Sequence, residues 1–328
     1  AAHPLTDEYS RFGSFDMLAE NNREQLKGLI GEIAAAQNEQ GSIAQKIGDL
    51  YNLAMDVEKL NADGMTPIKE DLDKINAIKD QAGIIETMAD LLGTAYFQFY
   101  VGADIMDSKM NIFQLHQGGL SLGQKDYYLD TDEATVHIRE EYKKHIVRMF
   151  QLVGQDEKQA TQSMEAVMEI ETRLAKKAFS AVELRNPAAN YHMLTLDEVK
   201  KQIPGFDWDA YLHAVGVKGV TSMNVSQIEP VKEAVAIINE LPLEKQKAYF
   251  QWKLIGRAAG CLSDEFVAED FNFYGKVLSG KKEDQPRWKK AVGTVNAVLG
   301  EAVGQMYVEK YFPAAAKERM VQLVKNLQ

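Results

Sequence analysis

A chain of 328 residues, 45% hydrophobic and 26% charged, has ordinary globular composition, which excludes a disordered or fibrous polypeptide. Its 37 Lys and Arg against 48 Asp and Glu give a formal charge of -11, spread along the chain, and a field of that sign repels a phosphate backbone, so nucleic acid is not expected as a partner. The single cysteine rules out an intrachain disulfide framework, and no apolar run approaches the roughly 20 residues that cross a bilayer.

In chain order, Ser42-Ile43-Ala44-Gln45 reads as a capping box opening a helix whose apolar face runs through Leu50, Leu53, Ala54 and Val57. Asn61-Ala62-Asp63-Gly64 breaks it, and Thr66-Pro67 starts a second helix, as cap and first-turn proline, with Ile68, Leu72, Ile75 and Ile78 on one face. Further helices are predicted over about 81–97, 133–153 and 157–179. Between Phe99 and Leu115 the alternation of Val101, Ile105, Ile112 and Phe113 with polar residues predicts a small hairpin. The segment Gln117-Gly118-Gly119-Leu120-Ser121-Leu122-Gly123 is too glycine-rich for a helix interior and predicts close backbone approach or positive φ. Thr195 to Glu198 caps a short helix, Phe206 to Leu212 forms another, and from about 226 helix follows helix with turns near Leu241-Pro242, Ser279-Gly280 and Tyr311-Phe312-Pro313. The pattern is mainly α.

Candidate chemistry is sparse. None of the six histidines begins the HExxH pattern that puts two imidazoles and a glutamate on one helical face for a zinc ion. His137, Glu141 and His145 recur every fourth residue, but the two histidines stand about 12 Å apart along a helix, too far for one ion, and are read as part of a solvated, salt-bridged face. Glu169 with Glu171 and Asp207 with Asp209 are weak signals in an acidic chain. Cys261 lies in an apolar stretch and is read as a buried thiol. Lys281-Lys282 and Arg287-Trp288-Lys289-Lys290 are read as solvated helix ends or loops. The dense rings at 96–100, 127–128, 249–252 and 271–274 are assigned to the core. Phosphate-loop, dinucleotide and GxSxG signatures are absent.

The order of several spaced motifs resembles the amino-terminal region of the neprilysin/endothelin-converting-enzyme family, peptidase family M13. They are Ser10-Arg11-Phe12-Gly13-Ser14-Phe15-Asp16; Gln117 to Leu129; Arg185-Asn186-Pro187 through Tyr191-His192; Phe206-Asp207-Trp208; and Ala302 to Val308 with Tyr311-Phe312-Pro313. The resemblance covers nearly the whole chain. It implies a mainly α, large multi-helix lobe with a small β-hairpin, forming part of a two-lobed zincin-type peptidase, with residues 1–328 as one amino-terminal region.

The implied function is that of a zinc metalloendopeptidase cleaving small peptides in an enclosed chamber. This chain would supply cavity wall and substrate positioning, Zn2+ would be ligated by residues outside it, and the carboxy-terminal catalytic half and small peptide substrates would be its partners. On this reading the chain holds no catalytic or metal residue of its own and is inactive alone. The apolar-periodic run from Met320 to Leu327 is taken as a helix cut short, and the start as shortened too.

The implied compartment is extracytoplasmic: periplasmic, secreted or membrane-anchored. Arg11 is the one residue carried over to substrate binding, its guanidinium fork suiting a peptide carboxylate, with Phe12 where the family more often has tyrosine. From the residues alone Arg11 is read as a surface or structural arginine, and it is the resemblance that brings the cleft role level with that reading; Gly13 either lets the chain turn closely or is ordinary loop. The alternative function is a noncatalytic helical module that binds peptides or proteins.

Overall fold

The computed structural model describes residues 5–327. The chain divides into two compact units, one formed by the residues up to Asp63 and from Tyr274 onward, the other by Gly64–Phe273.

The first unit opens with α1 (Ser14–Ala35), α2 (Ile43–Met55) and α3 (Val57–Asp63). Ser42 caps α2 as its sequence indicates, accepting from the Gln45 amide at 3.1 Å, but the Gln45 side chain answers the amide of Gly41 and not that of Ser42. The apolar face of α2 is rotated from the expected one: Ile47 and Gly48 are buried, while Leu53 is 47% exposed. Gly48 is small for a reason, since a Cβ there would lie 3.2 Å from the Cα of Ala34 where α1 and α2 cross.

The second unit carries α4 (Thr66–Asn76), α5 (Gln81–Asp90), β1 (Phe97–Ala103), β2 (Asn111–Gln117), α6 (Asp126–Leu129), α7 (Glu133–Leu152) and α8 (Glu157–Lys177). Ile68, Leu72, Ile75 and Ile78 are all buried, as their spacing requires. The cap of α4 falls on Met65, so Thr66 is already helical and caps nothing with its side chain. The helix expected to reach residue 97 stops at Asp90, because the chain turns through positive φ at Leu92 (51°), Gly93 (72°) and Tyr96 (61°). Such angles cost a non-glycine residue free energy, and Tyr96 is held by burial against Tyr249, with ring centroids 5.0 Å apart, and Phe250.

There follow β3 (Met193–Thr195), α9 (Leu196–Gln202), α10 (Trp208–Ala214), β4 (Ser222–Val225), α11 (Ile228–Glu240), α12 (Leu243–Ala258) and α13 (Asp264–Asp270). Thr195 and Glu198 make the capping box of α9, and Asp207 caps α10. The expected hairpin is β1–β2, but it belongs to a larger sheet of order β1-β2-β4-β3, in which β2 and β4 run parallel and the other neighbours antiparallel. Period-two alternation sorts the sheet into two faces. Phe97, Phe113, Leu115, Met223 and Val225 are buried on one, with Phe97 packed among Phe206, Trp208 and Tyr211.

The chain then passes through a π-helical stretch, Phe271–Leu278, and completes the first unit with α14 (Arg287–Tyr311), bent at Leu299, and α15 (Ala314–Leu327), which buries no residue. The core of that unit is Ile30, Ile47, Val292, Val295 and Val303, contributed by α1, α2 and α14.

Candidate functional site

In the second unit the other face of the sheet lines a cavity of about 610 Å3. Gln98 and Tyr100 on β1 stand opposite His116 and Gln114 on β2, and Gln114 is in register with Asn224 on β4. All five side chains line the cavity, together with Gln117, Asn190 and Gln227 and the glycine loop that follows β2. Most of the carboxamides hold one another or backbone: Asn224 donates to Gln114 Oε1 at 2.8 Å, Gln227 donates to Asn190 Oδ1 at 2.5 Å, and Gln227 Oε1 accepts from the Gln117 backbone amide at 2.9 Å. The Gln117 side chain clamps Phe179 from both sides, donating to its carbonyl at 3.1 Å and accepting from its amide at 2.7 Å. Burial pushes the His116 imidazole down from its ordinary 6.5, against a backbone hydrogen bond at Gln117 that favours the charged form, so the ring is neutral at pH 7.

The glycine loop behaves as its composition predicts. A Cβ on Gly118 would lie 2.6 Å from Cγ of Gln98, and one on Gly119, at φ +84°, would lie 2.6 Å from the Tyr249 hydroxyl. Beneath the loop is a buried polar cluster centred on Glu171 of α8 and Lys253 of α12, 2.9 Å apart and both under a tenth exposed. Lys253 donates to the Gly119 carbonyl and to Ser121 Oγ, each at 2.7 Å. Glu171 accepts from the hydroxyls of Ser121 at 2.5 Å and of Tyr128 and Tyr142 at 2.8 Å. Burial lowers the Lys253 pKa, opposed by the Glu171 charge, and burial holds the Tyr249 phenol well above its ordinary value, so Tyr249 stays a donor to the Gly119 carbonyl. This cluster braces the loop that forms one wall of the cavity, and neither Glu171 nor Lys253 lines the cavity itself. The sequence carries a signal for it: Glu171 falls in line with Val167, Ile170 and Leu174, the buried stripe of α8, whereas Glu169, two residues earlier, turns outward to Lys245.

Arg11 lies in the first unit, exposed, in the irregular segment before α1, and its guanidinium makes no hydrogen bond or ion pair among the described residues. The backbone around it is firmly held. The Asp7 carbonyl accepts from the amides of Lys282 and Glu283 at 3.0 Å, and Lys289 on α14 pairs with Glu8 and Glu20, both at 2.7 Å. The Tyr9 ring meets Phe12 edge-on at 5.0 Å, and Asp16 accepts from the Gly13 amide at 2.8 Å. Gly13 is extended (φ -137°), a conformation open to any residue. Lys289 is therefore no solvated helix end, as the sequence suggested: it is buried, and its neighbour Lys290 pairs with Asp284.

Two other readings are corrected. His145 is not part of a solvated face: it is fully buried, stacked on Phe273 at 5.1 Å, with Nδ1 2.8 Å from Glu269, while His137 is exposed. Cys261 is exposed, because a 3-10 turn, Ala259–Cys261, ends α12 and buries Ala259 and Leu262 instead. Among the described residues no three His, Cys, Asp or Glu side chains converge as a metal cage requires, so these residues do not fit a zinc ion. No helix among the described residues is long and apolar enough to cross a membrane.

The amino-terminal model of "Peptidase family M13" matches residues 1–328. Endothelin-converting enzyme 1 of Rattus norvegicus is 26% identical over 345 residues, covering 100% of this chain and 44% of that protein. The zinc metalloprotease ZMP1 of Mycobacterium tuberculosis, solved in complex with an inhibitor, is 30% identical with a TM-score of 0.91, covering 99% of this chain and 50% of that one. PEPO from Lactobacillus rhamnosis HN001 shares the fold at a TM-score of 0.79 and 19% identity, over 98% of this chain and 51% of that one. The chain thus spans about half of the length of these relatives, from 44% to 51%.

Proposed function

We propose, from the premise that this chain belongs to peptidase family M13, that it is the amino-terminal half of a zinc metalloendopeptidase that cleaves small peptides in an enclosed chamber. The observation that carries the reading is the match along all 328 residues to proteins about twice as long, one of them a zinc metalloprotease and another an endothelin-converting enzyme. In such an enzyme a zinc ion would supply the Lewis-acid chemistry that activates water and the peptide bond for hydrolysis. Its ligands are assigned to a carboxy-terminal half outside these residues, which is also this chain's partner. The described residues contribute walls and positioning: the helices and sheet of the second unit shape a peptide-sized space, and Arg11, on its braced segment, engages a substrate carboxylate. The complete enzyme works outside the cytoplasm, in a periplasm, secreted or anchored.

The test compares the complete polypeptide with the 328-residue chain, each assayed on a fluorogenic peptide with and without a zinc chelator. Chelator-sensitive turnover by the complete polypeptide alone, with an HExxH motif in its carboxy-terminal half, is the expected result. Robust zinc-dependent turnover by the 328 residues sinks the division of labour. A stop codon directly after Gln328, with no turnover, replaces it with a noncatalytic binding module.

A further inference from the structure

We infer that the cavity on the polar face of the sheet binds an uncharged stretch of peptide through its main chain, with Gln98 and Tyr100 as the contacting side chains. The inference deepens the peptidase reading and rests on it for the choice of a peptide among uncharged ligands. Charge is the first observation. In a chain where 26% of residues are charged, none of the twenty residues lining this cavity is Asp, Glu, Lys or Arg, and its one histidine is neutral. A ligand bearing a formal charge would find no counter-charge there, whereas an amide main chain brings paired donors and acceptors and no net charge.

The second observation is which polar groups remain available. Gln114, Gln117, Asn224 and Gln227 are occupied with one another and with backbone. The Gln98 carboxamide and the Tyr100 hydroxyl make no hydrogen bond among the described residues, and both residues lie exposed on one face of β1. A carboxamide offers one acceptor and two donors, the complement of a peptide unit. Gly118 keeps Gln98 in this place, since any side chain there would collide with its Cγ.

Geometry supplies the third. A volume of about 610 Å3 lies inside the usual range of ligand sites.

The experiment is calorimetric titration of the complete polypeptide, with chelator present to keep peptides intact, using an N-acetylated, C-amidated hexapeptide of Ala, Ser and Gln. Binding is expected, weakened about tenfold by Gln98→Ala and severalfold by Tyr100→Phe, and about tenfold or more when the peptide nitrogens are methylated. Both side chains are exposed, so the thermal midpoint stays at the wild-type value. No binding at millimolar peptide, equal binding of the methylated peptide, indifference to both substitutions, or preferential binding of a neutral trisaccharide each overturns the assignment. Chelator-sensitive hydrolysis is assayed separately without chelator. Hydrolysis alongside binding that ignores Gln98→Ala sinks the cavity assignment alone, while binding that Gln98→Ala weakens, with no hydrolysis, sinks the peptidase reading and leaves the cavity assignment standing.

Discussion

Glu20 shows how much a single side chain can anchor. It accepts from Tyr9, from Arg23 at 2.5 Å and from Lys289 at 2.7 Å, so that the segment carrying Arg11 is tied to α1 and α14 through one carboxylate. Burial alone would raise its pKa, but the hydrogen bonds from Lys289, Tyr9 and Arg23 outweigh it and hold the carboxyl at about 2, down from 4.5. Between those two values the unfolded chain binds a proton at Glu20 that the folded chain does not, so this contribution is complete above pH 4.5 and is lost as pH falls towards 2. Its size is about 2–3 kcal/mol, given a side chain under a third exposed. Urea unfolding of wild type and Glu20→Gln is therefore expected to differ by that amount at pH 6 and to converge as pH falls from 4.5 towards 2; a difference flat with pH would show that charge is not what holds the segment. At this scale the sequence is legible where chemistry is local. The Ser42, Thr195 and Asp207 caps each act within three residues, whereas Lys289 reads as a surface charge until the fold brings in Glu8, 281 residues away, and the buried stripe that betrays Glu171 does not name its partner Lys253, 82 residues on.

At the scale of elements, the glycine loop separates two costs that sequence alone cannot. Gly119 and Gly123 both have positive φ, +84° and +79°, but a Cβ on Gly119 meets the Tyr249 hydroxyl, while one on Gly123 meets nothing within 4 Å. Gly123→Ala is expected to cost only the left-handed backbone penalty, about 1 kcal/mol. Gly119→Ala adds overpacking against Tyr249 and the Tyr96 amide and should cost about 3 kcal/mol or more. Chemical denaturation of the two variants checks this; equal losses would mean that backbone conformation, not close approach, is what Gly119 serves. The hairpin β1–β2 was visible because alternation over two seven-residue strands is a local pattern. β3 and β4 were not, since three or four residues carry too little periodicity and the parallel β2–β4 pairing joins segments more than 100 residues apart. The end of α5 was missed for a related reason: Leu92 and Tyr96 are poor candidates for positive φ, and only their tertiary setting holds them there.

For the molecule as a whole, Arg11 is the residue whose purpose these residues leave open, since its guanidinium has no partner among the described residues while everything around it is braced. Water solvates an exposed guanidinium without help from the chain, so it is the proposed function that assigns the free head of Arg11 to a substrate carboxylate. A fork of parallel N–H groups matches a carboxylate, and each charge-assisted bond contributes about 1.5–3 kcal/mol. In the complete polypeptide, Arg11→Ala is therefore expected to lower kcat/KM about 10- to 100-fold for peptides ending in a free carboxylate near the scissile bond, and less than about threefold for the same peptides amidated. Arg11→Lys should recover only part of the loss, because an ammonium keeps the charge without the planar fork. Glu20→Gln provides the internal comparison: it loosens the segment and leaves the guanidinium intact, so it should impair free and amidated peptides to the same extent. If Arg11→Ala does likewise, the guanidinium does not read the carboxylate, and the motif from Ser10 to Asp16 serves to shape the start of α1.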